Sequence, residues 1–179
     1  MPLKVNEFEL EKLKSGHLQG TRITAAKIYS NLPADIKQQV NLQELQEAAM
    51  FHDYGKILIP DKILNKKGEL SENEWEIMKQ HSELGAELLK SKNLSPQTVE
   101  LVKYHHQNRN NGGYPEINTD FEYNLTAEIL SVADRYEALT EERSYKKAMT
   151  RNEALAVIEE DVGNGKISSE VFDALKKSV

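Results

Sequence analysis

Four helix starts are marked in this chain by local chemistry, and together they leave room for little except a helical bundle. Asn41-Leu42-Gln43-Glu44, Ser71-Glu72-Asn73-Glu74 and Thr150-Arg151-Asn152-Glu153 each place a capping side chain three residues ahead of an acid, and Ser95-Pro96 joins an N-cap to a proline at the first helical position. Such residues satisfy the amide groups that a helix leaves without partners in its first turn. Apolar spacing predicts a short opening helix through Phe8, Leu10 and Leu13, then helices over 21–32, 42–54, 72–90, 96–107, 125–140, 151–161 and 169–177. Strand-like alternation is nearly absent, so the expected fold class is all-α. Two long loops interrupt the bundle. One covers residues 57–68, where Pro60 stops the preceding helix, and the other covers 108–124 with Asn110-Asn111-Gly112-Gly113, residues that tolerate positive φ. Loops of this length inside a small bundle are usually functional.

At 179 residues the chain suffices for one domain over 1–179. Without cysteine, any metal must be held by imidazole, carboxylate or amide groups. A net charge of −6, with both signs mixed along the chain, argues against a nucleic-acid surface. No apolar leader or membrane-length segment is evident, and the expected location is the cytoplasm.

Chemistry concentrates at Ala48-Ala49-Met50-Phe51-His52-Asp53, where an apolar helix runs into a histidine and a carboxylate. Alone, the doublet is equally well explained by packing. The other ionisable residues in apolar surroundings shift that balance. His81 shares a helical stripe with Ile77, Met78, Leu84 and Leu88; His105 and His106 end a helix facing the glycine-rich loop; Asp134 interrupts Ile129-Leu130-Ser131-Val132-Ala133. Burying each separately requires a separate partner, whereas one metal cluster satisfies them together. His52, Asp53, His81, His105, His106 and Asp134 are too many for one four-coordinate ion. Two ions follow, with Asp53 as the bridging carboxylate; such ions sit roughly 3.5 to 4 Å apart and suit hydrolysis of phosphate esters. Lys56 lies one turn beyond His52, where it could contact a phosphate, and Arg143 and Lys146 could form a second contact.

These residues resemble the HD superfamily of metal-dependent phosphohydrolases and, within it, the HD-GYP subgroup. His52-Asp53-Tyr54-Gly55-Lys56 matches His-Asp-x-Gly-Lys and is followed by Ile59-Pro60, Ile63-Leu64, Lys66 and Gly68. His81 with Gly85, His105-His106 with Gly113-Tyr114-Pro115, and Val132-Ala133-Asp134 with Ala138-Leu139-Thr140, Arg143 and Tyr145-Lys146 match the later motifs in order. The motif core covers about 41–146, with C-terminal helices over about 150–178. The resemblance implies an HD-type helical bundle and a di- or trinuclear centre, often iron or manganese, with zinc or nickel as alternatives in a purified sample. It implies hydrolysis of cyclic di-GMP, or of a related cyclic GMP-AMP, by a metal-bridging hydroxide. Asp53 and Lys56 would be catalytic; Lys56, Arg143 and Lys146 would hold phosphate; Tyr114 would shape the pocket mouth. Domains of this kind are commonly fused to receiver or sensor modules, and a signalling partner or a homodimer is expected.

Three positions depart from the family pattern. The upstream His-x-x-Arg-Val context places Gln19 where a ligand is usual and Ser15 one turn before it. His17 has the wrong spacing for that motif and reads as a surface residue, which leaves the first metal site one ligand short. Gln107 stands where a glutamate is usual, and Asn110-Asn111 replace an Asp-Gly pair. The alternative function is therefore a degenerate module that binds metal or nucleotide and acts as a signalling or interaction domain.

Overall fold

A computed structural model describes residues 16–142 and 147–179. The expected opening helix, Ser15, Arg143 and Lys146 lie outside the described residues. The chain runs through α1 (His17–Asn31), α2 (Ala34–Lys37), α3 (Leu42–Phe51), a 3-10 helix (Tyr54–Leu58), α4 (Asp61–Leu64), α5 (Glu72–Lys79), α6 (His81–Leu89), α7 (Pro96–Lys103), α8 (Leu125–Thr140), α9 (Arg151–Gly163) and α10 (Ser169–Ser178). Among the described residues no strand occurs, and no helix is long and apolar enough to cross a membrane.

The four marked starts cap as expected. Asn41, Ser71, Ser95 and Thr150 each accept a hydrogen bond from the backbone amide three residues on, and Ser71 with Glu74 and Thr150 with Glu153 form reciprocal capping boxes. Lys66 and the Ser71 backbone amide, both bound to the Glu74 carboxylate, draw its pKa down to about 2.

The helix ends differ more than the starts. The helix predicted over 42–54 stops at Phe51, and that predicted over 96–107 stops at Lys103. The 72–90 segment divides at Gln80, so His81 opens a new helix. His81 is buried as its spacing predicts, but Ser82, Gly85, Ala86 and Leu89 go inward while Leu84 and Leu88 stay half-buried. Loop 57–68 contains all of α4 and the end of the 3-10 helix, whereas 108–124 has no helix.

Helix α1 is central and packs against α3, α8 and α10, while α7 joins α3 to α6. The core gathers Ile28, Leu45, Leu101, Ile129, Leu130, Ile158 and Leu175, all fully buried. At about 25 cal/mol per Å² of apolar surface, side chains of this size each contribute about 1.5–3 kcal/mol. Loop 108–124 is held down by Tyr104, whose ring stacks on Phe121 at 4.9 Å and whose hydroxyl donates to Asn118 at 3.3 Å.

Candidate metal centre

Helix C-termini leave carbonyl groups without partners, and here three histidines cap them. His52 Nδ1 lies 2.9 Å from Ala49 O, His81 Nδ1 2.7 Å from Met78 O, and His105 Nδ1 2.7 Å from Val102 O. Each imidazole donates from Nδ1 to the carbonyl three residues back, so Nε2, the unprotonated nitrogen of the neutral ring, turns toward the interior. This arrangement typically orients metal-ligating histidine.

These nitrogens fall into two groups. His81, His105 and His106 form one; His17, His52 and Asp134 form the other; within each, the potential ligand atoms lie within 4.8 Å of one another. In the first group His81 Nε2 is 3.4 Å from His105 Nε2 and 3.2 Å from His106 Nε2. His81 and His105 have already used their protons on backbone carbonyls, so their lone pairs face each other. Burial first, then neighbouring imidazoles, push His105 well below its ordinary pKa; burial likewise lowers His81, and brings His106 down to about 3. The group presents neutral nitrogen donors to a shared point.

In the second group His17 Nε2 is 3.0 Å from Asp134 Oδ1, and His17 Nδ1 faces Glu141 Oε2 at 3.5 Å. His52 Nε2 is buried without a hydrogen bond, although Asp134 Oδ1 is 3.3 Å away. Burial opposes a charge on His52, but Asp53 and Asp134 outweigh it and the pKa is raised. Both carboxylates stay well below their usual range despite burial, Asp53 through Lys56 and its histidine neighbours, Asp134 through His17 and His52.

Asp53 stands between the groups. Its Oδ1 lies 3.4 Å from His81 Nε2, while Oδ2 lies 3.6 Å from His52 Nε2 and 3.8 Å from His17 Nε2. Lys56 Nζ reaches Oδ2 at 2.6 Å with part of its side chain open to solvent. Gly55 permits this placement, because a Cβ there would overlap the His81 carbonyl and the Gly85 amide where the 3-10 helix crosses α6. A buried lone-pair cluster and an orphaned imidazole nitrogen, surrounded by nitrogen and carboxylate donors, fit divalent metal ions.

The six ligand candidates taken from the sequence, His52, Asp53, His81, His105, His106 and Asp134, are brought together. Tyr114 lies at the edge, its ring 4.5 Å from that of His106, and burial with the nearby Asp134 and Asp53 charges raises its pKa, keeping the hydroxyl protonated. Arg143 and Lys146 fall outside the described residues.

One expectation is corrected, and one departure gains a structural account. His17 is not a surface residue: its side chain is 15% exposed and bonded to Asp134, while Gln19 points to solvent. Helix α1 begins one turn before Thr21, behind Gly16 with no side-chain cap, so the sequence carries no start signal there. A signal did exist in the stripe His17, Thr21, Thr24, Ile28, which faces α8 and includes the Thr24 hydroxyl donating to Glu137 at 2.6 Å. Gln107, standing where a glutamate is usual, has partners of its own. It is buried in the loop, donating to Pro115 O at 2.6 Å and accepting from the Gly113 amide at 3.1 Å, so both halves of its amide close the turn that carries Tyr114. Asn111 takes the left-handed conformation, φ 57°.

Comparison with known proteins agrees with this arrangement. An HD domain family model matches residues 9–171. A cyclic di-GMP phosphodiesterase response regulator, RpfG of Xanthomonas campestris pv. campestris, is 39% identical over 136 residues, covering 72% of this chain and 36% of that protein. The 3'3'-cGAMP-specific phosphodiesterase 3 of Vibrio cholerae serotype O1 is 35% identical, covering 75% and 29%. The chain thus spans about a third of the length of these curated relatives. The HD domain of the L. monocytogenes phosphodiesterase PgpH, solved in complex with cyclic-di-AMP, shares the fold at TM-score 0.60 and 19% identity, covering 91% of this chain and 87% of that one. A match over nearly the whole length, a shared bundle and a buried histidine-aspartate cluster lead to one conclusion: this chain belongs to the HD domain family.

Proposed function

We propose that this chain is a metal-dependent phosphodiesterase of the HD-GYP type acting on a cyclic dinucleotide, cyclic di-GMP first among the candidates. The observation that carries the reading is Asp53, one oxygen toward each of two three-donor groups. One ion would be held by His81, His105 and His106, a second by His17, His52 and Asp134, with Asp53 shared. Iron and manganese are the proposed metals. When bound, two such ions polarise phosphoryl oxygens and ease deprotonation of water for in-line displacement.

The chain's own residues supply the rest. Lys56 brings an ammonium to the solvent side of Asp53, where it can pair with a phosphate oxygen. Tyr114, kept protonated, offers a donor at the mouth. Gln107 holds that loop closed from behind. The named substrates of the relatives are cyclic dinucleotides, which supports the same class here. The degenerate-module alternative rested on Gln19 and Gln107. His17, bonded to Asp134, offers an imidazole to the site in place of Gln19, and Gln107 has a structural task, which together support turnover over the degenerate module. A signalling partner is proposed for regulation.

Protein purified anaerobically should bind two ions by elemental analysis. Reconstituted with iron or manganese, it should convert cyclic di-GMP to the linear dinucleotide or GMP. Two bound ions without turnover of cyclic di-GMP, 3'3'-cGAMP or cyclic di-AMP would refute the enzymatic reading; no bound metal would refute the centre itself.

A further inference from the structure

Three large apolar side chains are exposed among the described residues, Ile23, Leu42 and Trp75. Of these, Trp75 is joined to the metal centre through ring contacts. It lies in α5 and is 46% exposed. Its ring meets Tyr114 edge-on, with centroids 6.3 Å apart at 77°. Tyr114 in turn lies tilted against His106 at 4.5 Å and 31°. A line of aromatic rings therefore leads from solvent to the histidine-only group. Lys79, one turn beyond Trp75, holds its ammonium 5.9 Å from the centre of the Tyr114 ring. An indole left half in water forgoes the burial that its apolar area would otherwise gain. Core packing does not account for it, whereas a ligand with a flat π-surface would.

We infer that Trp75 is the base-stacking residue of the substrate pocket: a purine of a cyclic dinucleotide stacks on the exposed indole while its phosphodiester lies at the metal centre. This inference rests on the phosphodiesterase reading and deepens it. Stacking on an aromatic face tolerates any base, because every base has a π-face. Trp75 accordingly selects for a nucleobase over a simple phosphodiester and does not by itself separate guanine from adenine. Lys79, paired with Glu76 at 2.6 Å, and the Tyr114 ring border the same surface, and the ammonium can exchange that carboxylate for a polar edge of the base or ribose.

Trp75 is the chain's sole tryptophan, so its emission reports this site alone. Metal-loaded protein would be titrated with a non-hydrolysable phosphorothioate analogue of cyclic di-GMP, following emission and calorimetric heat in parallel. The expected result is saturable quenching with a midpoint equal to the calorimetric Kd. Trp75→Ala should bind roughly tenfold or more weakly, and Trp75→Phe should recover most of the affinity. Both variants should retain the wild-type metal content, which serves as the folding control. In turnover Trp75→Ala should raise KM and leave kcat nearly unchanged, the pattern for binding shared by ground and transition states. Calorimetric binding with unchanged emission, or wild-type affinity in Trp75→Ala, would overturn the inference and leave the phosphodiesterase reading standing. Absence of heat with every cyclic dinucleotide would overturn both. Emission that shifts on protein dilution and not with nucleotide would assign the ring to a contact between copies, overturning the stacking role.

Discussion

The two halves of the metal centre reach their geometry by opposite electrostatic routes. His81 and His105 are buried and His106 half-buried, and all three are held neutral, with His81 Nε2 and His105 Nε2 3.4 Å apart and both lone pairs facing inward. The half built from His17, His52 and Asp134 contains its own compensation, since the carboxylate accepts from His17 at 3.0 Å and helps to raise the pKa of His52. A cation relieves repulsion in the first half, while in the second it competes with an existing hydrogen bond. The histidine-only half should therefore bind its ion more tightly, and the mixed half should exchange its ion more readily. This follows from the cost of buried polar atoms without partners and from the pairing that lessens it.

Breaking what the halves share should have the largest effect. Asp53→Ala should release both ions and lower turnover by roughly a thousandfold or more, read by elemental analysis and steady-state rates. Retention of two ions would show that Asp53 does not bridge. Removing one ligand from each half separates them. His105→Ala should lose one ion outright, whereas His17→Ala should bind two ions with its weaker site loosened roughly ten- to hundredfold, measured by competition with a chromogenic chelator. The reverse order would invert the comparison.

Stripping the metal from the wild type with a chelator should lower Tm by about 5–10 °C, given that a ligand at a hundred times its Kd stabilises by about 2.7 kcal/mol. The same treatment should have little effect on Asp53→Ala, which has no ion to lose. Gln107→Ala removes both bonds behind the Tyr114 turn and should cost about 2 kcal/mol, or roughly 4–8 °C in Tm. Gln107→Glu should cost at least as much, because its carboxylate can still accept from Gly113 but sets a buried oxygen against Pro115 O with no proton to donate. Both variants should keep two ions, since Gln107 contacts neither half. Smallest is Thr150→Ala, which loses the cap of α9 and should cost about 1 kcal/mol with metal content unchanged.

How much of this was legible in the residues depended on the range of the interaction. Helix starts were readable because a capping side chain and the amide it satisfies are three residues apart, as at Ser71 with Glu74. Helix ends were less so. His52, His81 and His105 each turn a ring onto a carbonyl at or just past the end of the preceding helix, and they do it where several such rings meet. His17 was misread because no capping side chain announces the first turn of α1; its place is set by α1 packing along α8, which brings it to a partner 117 residues away. Gln107 looked like a lost charge, although its buried amide is a double brace for a turn that only the folded loop reveals.

The sequence by itself determined the helical bundle, the family resemblance and the residues that pair imidazole with carboxylate in apolar surroundings. These are properties of short windows: capping spacing, apolar period, and the cost of burying ionisable groups. Only the tertiary structure decided how those side chains divide into a neutral half and a compensated half, that Asp53 stands between them, and that His17 lies in the second. Such assignments depend on distances between helices distant in sequence. Those distances are set by the packing of the whole core around α1, which no local pattern encodes.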